Sequence, residues 1–104
     1  MRNIKLMADY GCFPLWEATE KSLVNLNPED LDLPKELSES LDQWASDYEA
    51  TLNRGNPVIS EFSSKEDGHK FEIQGRQLHQ KLKKQLGLDF HVTYFSAGES
   101  KLYE

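Results

Sequence analysis

The chain has 104 residues, 18 acidic against 12 basic side chains, a net charge of −6, 38% hydrophobic residues and one cysteine. That length is read as one domain over residues 1–104 with a modest core. The totals argue against a general nucleic-acid binder and an internal disulfide, and no apolar run approaches the roughly 20 residues a membrane span needs. The lone Cys12 fits a reducing, cytoplasmic setting.

From Asn3 to Asp9 the sequence alternates, with Ile4, Leu6 and Ala8 on one side and Lys5, Met7 and Asp9 on the other, which predicts a strand. Tyr10 to Trp16 is rich in aromatic groups but interrupted by Gly11 and Pro14, so it either plugs one end of the core or makes a short edge strand. Leu23 to Leu26 reads as a second short strand, joined through a polar turn from Glu17 to Ser22. Asn27 to Leu31 has the form of one helical turn, capped by Asn27 with Pro28 first.

Pro34 to Asn53 predicts an amphipathic helix, opened by Pro34. Leu37, Leu41, Trp44, Ala45, Tyr48 and Leu52 share one stripe, with Trp44 and Tyr48 assigned to the core. Glu39, Asp42, Ser46 and Glu49 take the opposite face, and the helix is expected to close at Asn53 to Pro57. After a connector over Val58 to Ser63, Ser63 with Glu66, or Ser64 with Asp67, offers a cap for a second helix. Its stripe is Phe71, Gly75, Leu78, Leu82 and Leu86, and it stops at Gly87. Gly75 within that stripe predicts close approach of another element. Phe90 to Phe95 alternates with apolar groups on both faces, which places it beside the first strand. Residues 96–104 are polar and read as a flexible tail or a late edge strand. The sum is an α+β fold, a two-layer sandwich. Two long antiparallel helices pack on one face of a small sheet made of the N-terminal strand or strands and a C-terminal strand.

The charge is unevenly spread. Between Glu29 and Glu49 eight acids face one lysine, a net of −7, and the remainder of the chain sums to +1. A solvated helix face is the ordinary reading of any one of these acids, and a docking surface for a cationic partner is the sharper reading of all of them together.

No catalytic or cofactor motif stands out. Cys12 lacks a locally positioned base, and a cysteine beside Phe13 and Leu15 is usually a small buried hydrophobe. His69 and His79 are ten positions apart on the second helix, about 15 Å along its axis, and with His91 they read as surface histidines and not as metal ligands. Lys81, Lys83 and Lys84 sit where a helix dipole favours cations.

Asp9-Tyr10-Gly11-Cys12-Phe13-Pro14-Leu15-Trp16, Asn27-Pro28-Glu29-Asp30-Leu31, Leu41-Asp42-Gln43-Trp44-Ala45-Ser46-Asp47-Tyr48 and Thr51-Leu52-Asn53 resemble a family of small bacterial proteins of about this length. Some of its members look like immunity proteins encoded beside polymorphic toxins, as in contact-dependent growth inhibition. The resemblance runs from the first strand through Phe95 and departs at Pro34, where the family often has a serine cap. It carries over no catalytic residue. It implies a protein that binds and neutralises a cognate toxin domain.

With the charge pattern, the chain reads as a cytoplasmic, non-enzymatic immunity protein for a basic toxin domain, a nuclease. Glu36, Glu39, Asp42, Ser46, Asp47 and Glu49 are its partner-binding residues, with Tyr10 and Trp16 as candidate loop contacts. The alternatives are a small binding protein that uses the loop from Tyr10 to Trp16 as a ligand or peptide groove, and a thiol enzyme built on Cys12.

Overall fold

The computed structural model describes residues 2–50, 65–96 and 98–104. β1 (Arg2–Leu6) is the middle strand of a five-stranded sheet, with β2 (Leu15–Ala18) and β3 (Leu23–Leu26) on one side and β4 (Phe90–Ser96) and β5 (Lys101–Tyr103) on the other. β1 pairs antiparallel with β2 and parallel with β4, and the remaining pairs are antiparallel. The expected neighbour relation between the first strand and the Phe90 strand is therefore present, with Ile4 opposite Val92 and Leu6 opposite Tyr94.

The alternation sets the faces. Ile4, Leu6, Leu15, Val92 and Tyr94 project to one side and are buried. Lys5, Trp16, Thr93 and Phe95 project to the other and are half-buried. α1 (Lys35–Glu49) and α2 (Lys65–Leu86) cover the first side. Leu37, Leu41 and Trp44 of α1, with Phe71, Leu78 and Leu82 of α2, complete the core, and Tyr48 and Leu86 pack against its margin. Late residues of α1 meet an early residue of α2, as antiparallel neighbours do. Trp44 stacks on Phe71 with ring centroids 4.5 Å apart and donates from Nε1 to the Phe71 carbonyl at 3.0 Å, and Tyr48 lies 5.6 Å from the same ring.

Several expectations need correction. The sheet is larger than a strand or two at each end, and only α2, at 22 residues, is a long helix, against 15 for α1. α1 starts after Pro34, which serves as its cap without a side-chain bond, and ends at Glu49. The expected run to Asn53, the stop at Asn53 to Pro57, the connector, and the caps at Ser63 and Ser64 lie outside the described residues. The turn expected over Glu17 to Ser22 is shorter. Glu17 and Ala18 belong to β2, where they pair with Ile4 and Asn3 of β1, Arg2 holds the Glu17 carboxylate through two hydrogen bonds of 2.8 Å, and Thr19 and Ser22 close the turn between them. β1 gives way before Asp9, although Met7 still donates to the Pro14 carbonyl and Ala8 is buried. Of the two readings of residues 96–104, the late edge strand is the one present, as β5 over residues 101–103. His79 is no surface histidine: it is 3% exposed, with Nε2 2.9 Å from the Val92 carbonyl.

Asn27 does cap the turn at Pro28–Asp30, accepting from the Glu29 amide at 3.0 Å. Gly75 is the close approach anticipated from the stripe. A Cβ there would stand 2.7 Å from the Tyr94 hydroxyl, which donates to Glu72 at 2.8 Å. Glu72 also accepts from Ser96 and Arg76, and Arg76 reaches on to Glu99 and Tyr103, so α2 is tied to both C-terminal strands by one polar network.

Candidate partner-binding surface

α1 has one apolar stripe because Leu37, Leu41, Trp44 and Tyr48 recur at helical spacing. Once that stripe is turned inward, the acids between its members must face out. Glu36, Glu39, Asp42, Ser46 and Glu49 are all exposed, as the pattern requires, while Asp47 is half-buried.

The six candidates do not form one continuous patch. Glu39 and Asp42 face the turn that precedes the helix. There they line a groove with Glu29, Asp32, Lys35 and Ser38, over an apolar floor of Pro28, Leu31 and Leu33. Four carboxylates thus surround one lysine, and Lys35 makes only a long 3.8 Å pair with Glu39 at high exposure, which is worth little and leaves the negative potential largely intact. Asp47 turns the other way. It accepts from Gln43 Nε2 at 2.9 Å and borders a cleft between the two helices lined by Ser40, Trp44, Gln74, Gln77 and Lys81. Among the described residues, the Glu36 and Asp42 side chains make no hydrogen bond or ion pair, so their charges are available to a partner.

Glu49 has a second occupation. It accepts the Gly11 amide at 2.8 Å, which fastens the loop before β2 to the end of α1. Gly11 sits at φ +70°, a conformation in which glycine is favoured. Beside it Tyr10 stacks on Tyr48 at 4.7 Å, so this candidate contact spends part of its ring inside the fold. Burial raises the Tyr48 hydroxyl pKa above its ordinary value. Trp16 is half-buried on the far side of the sheet and donates from Nε1 to the Met7 carbonyl at 3.0 Å. Cys12 is half-buried in the same loop. Among the described residues no three His, Cys, Asp or Glu side chains gather to hold a metal ion, and no helix is long and apolar enough to cross a membrane.

Glu29 and Asp32 were legible only as charge in the sequence. Their place beside Glu39 and Asp42 follows from the Asn27 cap and the Pro28 turn, and that signal could have assigned them to the surface.

A family model described as Serratia CdiI immunity protein-like matches residues 2–97. The chain belongs to this family. The span matched in this CdiI-like chain takes in β1 through β4, the whole acidic groove and the loop held by Glu49, and it ends before β5. No curated protein matches the chain.

Proposed function

We propose that this CdiI-like chain is a cytoplasmic, non-enzymatic immunity protein. It binds the toxin domain of its own contact-dependent growth inhibition system and neutralises it by masking a basic surface. A nuclease fits this reading, because a domain that works on a phosphate backbone carries the cations such a mask would cover. The observation that supports the reading most is the convergence of Glu29, Asp32, Glu39 and Asp42 on one groove with an apolar floor. One-sign patches of this kind accelerate encounter with an oppositely charged partner.

The test is to express the C-terminal domain of the protein encoded immediately upstream. Its binding is measured by calorimetry, and the growth of cells that carry it is followed with and without this chain. Tight binding and restored growth are the expected results. Absence of both removes the reading. In the alternative reading the loop from Tyr10 to Trp16 is itself a ligand groove. Glu39→Lys with Asp42→Lys separates the two, since it abolishes neutralisation in the first case and leaves a loop-centred activity intact in the second.

A further inference from the structure

Phe13 is 44% exposed, while every other described Phe, Tyr and Trp is buried or half-buried. Its backbone is held from both sides. The Phe13 amide donates to Asn25 Oδ1 at 2.9 Å, and Asn25 Nδ2 donates to the carbonyls of Phe13 at 2.8 Å and Leu15 at 3.1 Å. Asn25 thereby extends the pairing of β3 past the start of β2, across Pro14 to Phe13. Two residues earlier the loop is fixed to α1 through Gly11 and Glu49, and Pro14 itself is buried. The backbone around Phe13 is thus firmly anchored while nearly half of the residue's surface stays open to water.

We propose that Phe13 is the apolar anchor of the toxin-binding surface, and that this surface continues from the acidic face of α1 across Glu49 onto the loop. The proposal rests on the toxin-binding reading above and names the residue that holds the complex together once charge has brought it about. Three features point to this occupant. Glu49 belongs to both the acidic face and the loop, so the two are continuous. Asp9 is a further exposed acid in the same loop, which carries no basic residue between Met7 and Trp16, so the segment that presents Phe13 is acidic and suits an apolar recess on a cationic domain. An aromatic group presented on an already ordered backbone loses little conformational freedom on binding, which is the usual character of an energetic anchor.

The probe is the same upstream-encoded C-terminal domain, immobilised for association and dissociation kinetics. Phe13→Ala is expected to dissociate at least about tenfold faster than the wild type, with its association rate and salt dependence unchanged. Phe13→Leu should recover most of that loss, since an apolar side chain is what the recess reads. Glu39→Lys with Asp42→Lys should instead slow association. A Phe13→Ala dissociation rate within about twofold of the wild type, alongside slowed association in the charge-reversed chain, overturns the anchor and leaves the acidic surface standing. If neither variant changes binding, both readings fall.

Discussion

At Gly75 an added Cβ would also meet ring atoms of Tyr94 at 2.9 Å, and Tyr94 has nowhere to go because it is buried and hydrogen-bonded to Glu72. Gly75→Ala is therefore expected to destabilise the fold by about 1–3 kcal/mol through overcrowding, more than the ~1 kcal/mol that alanine returns in helix propensity; urea unfolding measures the difference, and a gain in stability would contradict the packing described. This position could be read from sequence because a glycine inside an apolar stripe gives up both helix propensity and buried area, which only a close neighbour rewards. His79 could have been read the same way. It lies four residues after Gly75 and three before Leu82, on the same stripe, but residue type alone points a histidine to the surface. Its burial holds the imidazole pKa below the ordinary value, and the nearby Lys83 charge lowers it further against the opposing Val92 hydrogen bond. A depressed histidine pKa means the unfolded chain binds the proton more readily. Stability is then complete above the ordinary value of about 6.5 and falls as the pH drops through the lower folded value. His79→Gln, which keeps a donor for the Val92 carbonyl, should flatten the loss of melting temperature between about pH 7 and pH 5. An unchanged slope would show that His79 does not govern it.

At the level of elements, periodicity carried α1, α2, β1 and β4, because in each the fully buried residues recur at the spacing of the element. The β2 strand was obscured by Gly11 and Pro14 just before it. Its ladder is rescued by contacts distant in sequence, Asn25 to Phe13 and Arg2 to Glu17, which no local pattern displays. β5 is three residues long and owes its place to the network through Arg76, Glu99 and Tyr103. The joint between the helices rests on Trp44, which combines a buried ring, a stack on Phe71 and a bond to its carbonyl. Trp44→Ala should cost about 3–5 kcal/mol, read as a lower denaturant midpoint. A loss under about 1 kcal/mol would mean that the helices are held together elsewhere.

Across the whole molecule the charge is unevenly divided. The acids of residues 29–49 gather on α1 and the turn before it, whereas α2 has six basic residues against three acidic ones, Glu66, Asp67 and Glu72. The net charge of the segment was plain in the sequence. Its division between the groove of Glu29, Asp32, Glu39 and Asp42 and the interhelical cleft beside Asp47 was not, because that depends on how α1 is rotated against its neighbours. Glu49 is a poor site for a charge test, since reversing it would also release Gly11. Glu36, Glu39 and Asp42 are the clean choice. The most direct measurement is the association rate with the upstream-encoded toxin domain as a function of ionic strength, for the wild type and for the chain with those three residues changed to lysine. The wild-type rate should fall steeply as salt rises, and the reversed chain should associate at least about tenfold more slowly at low salt with the dependence lost or inverted. Equal rates and equal slopes for the two chains would contradict the claim that this surface works by presenting negative charge.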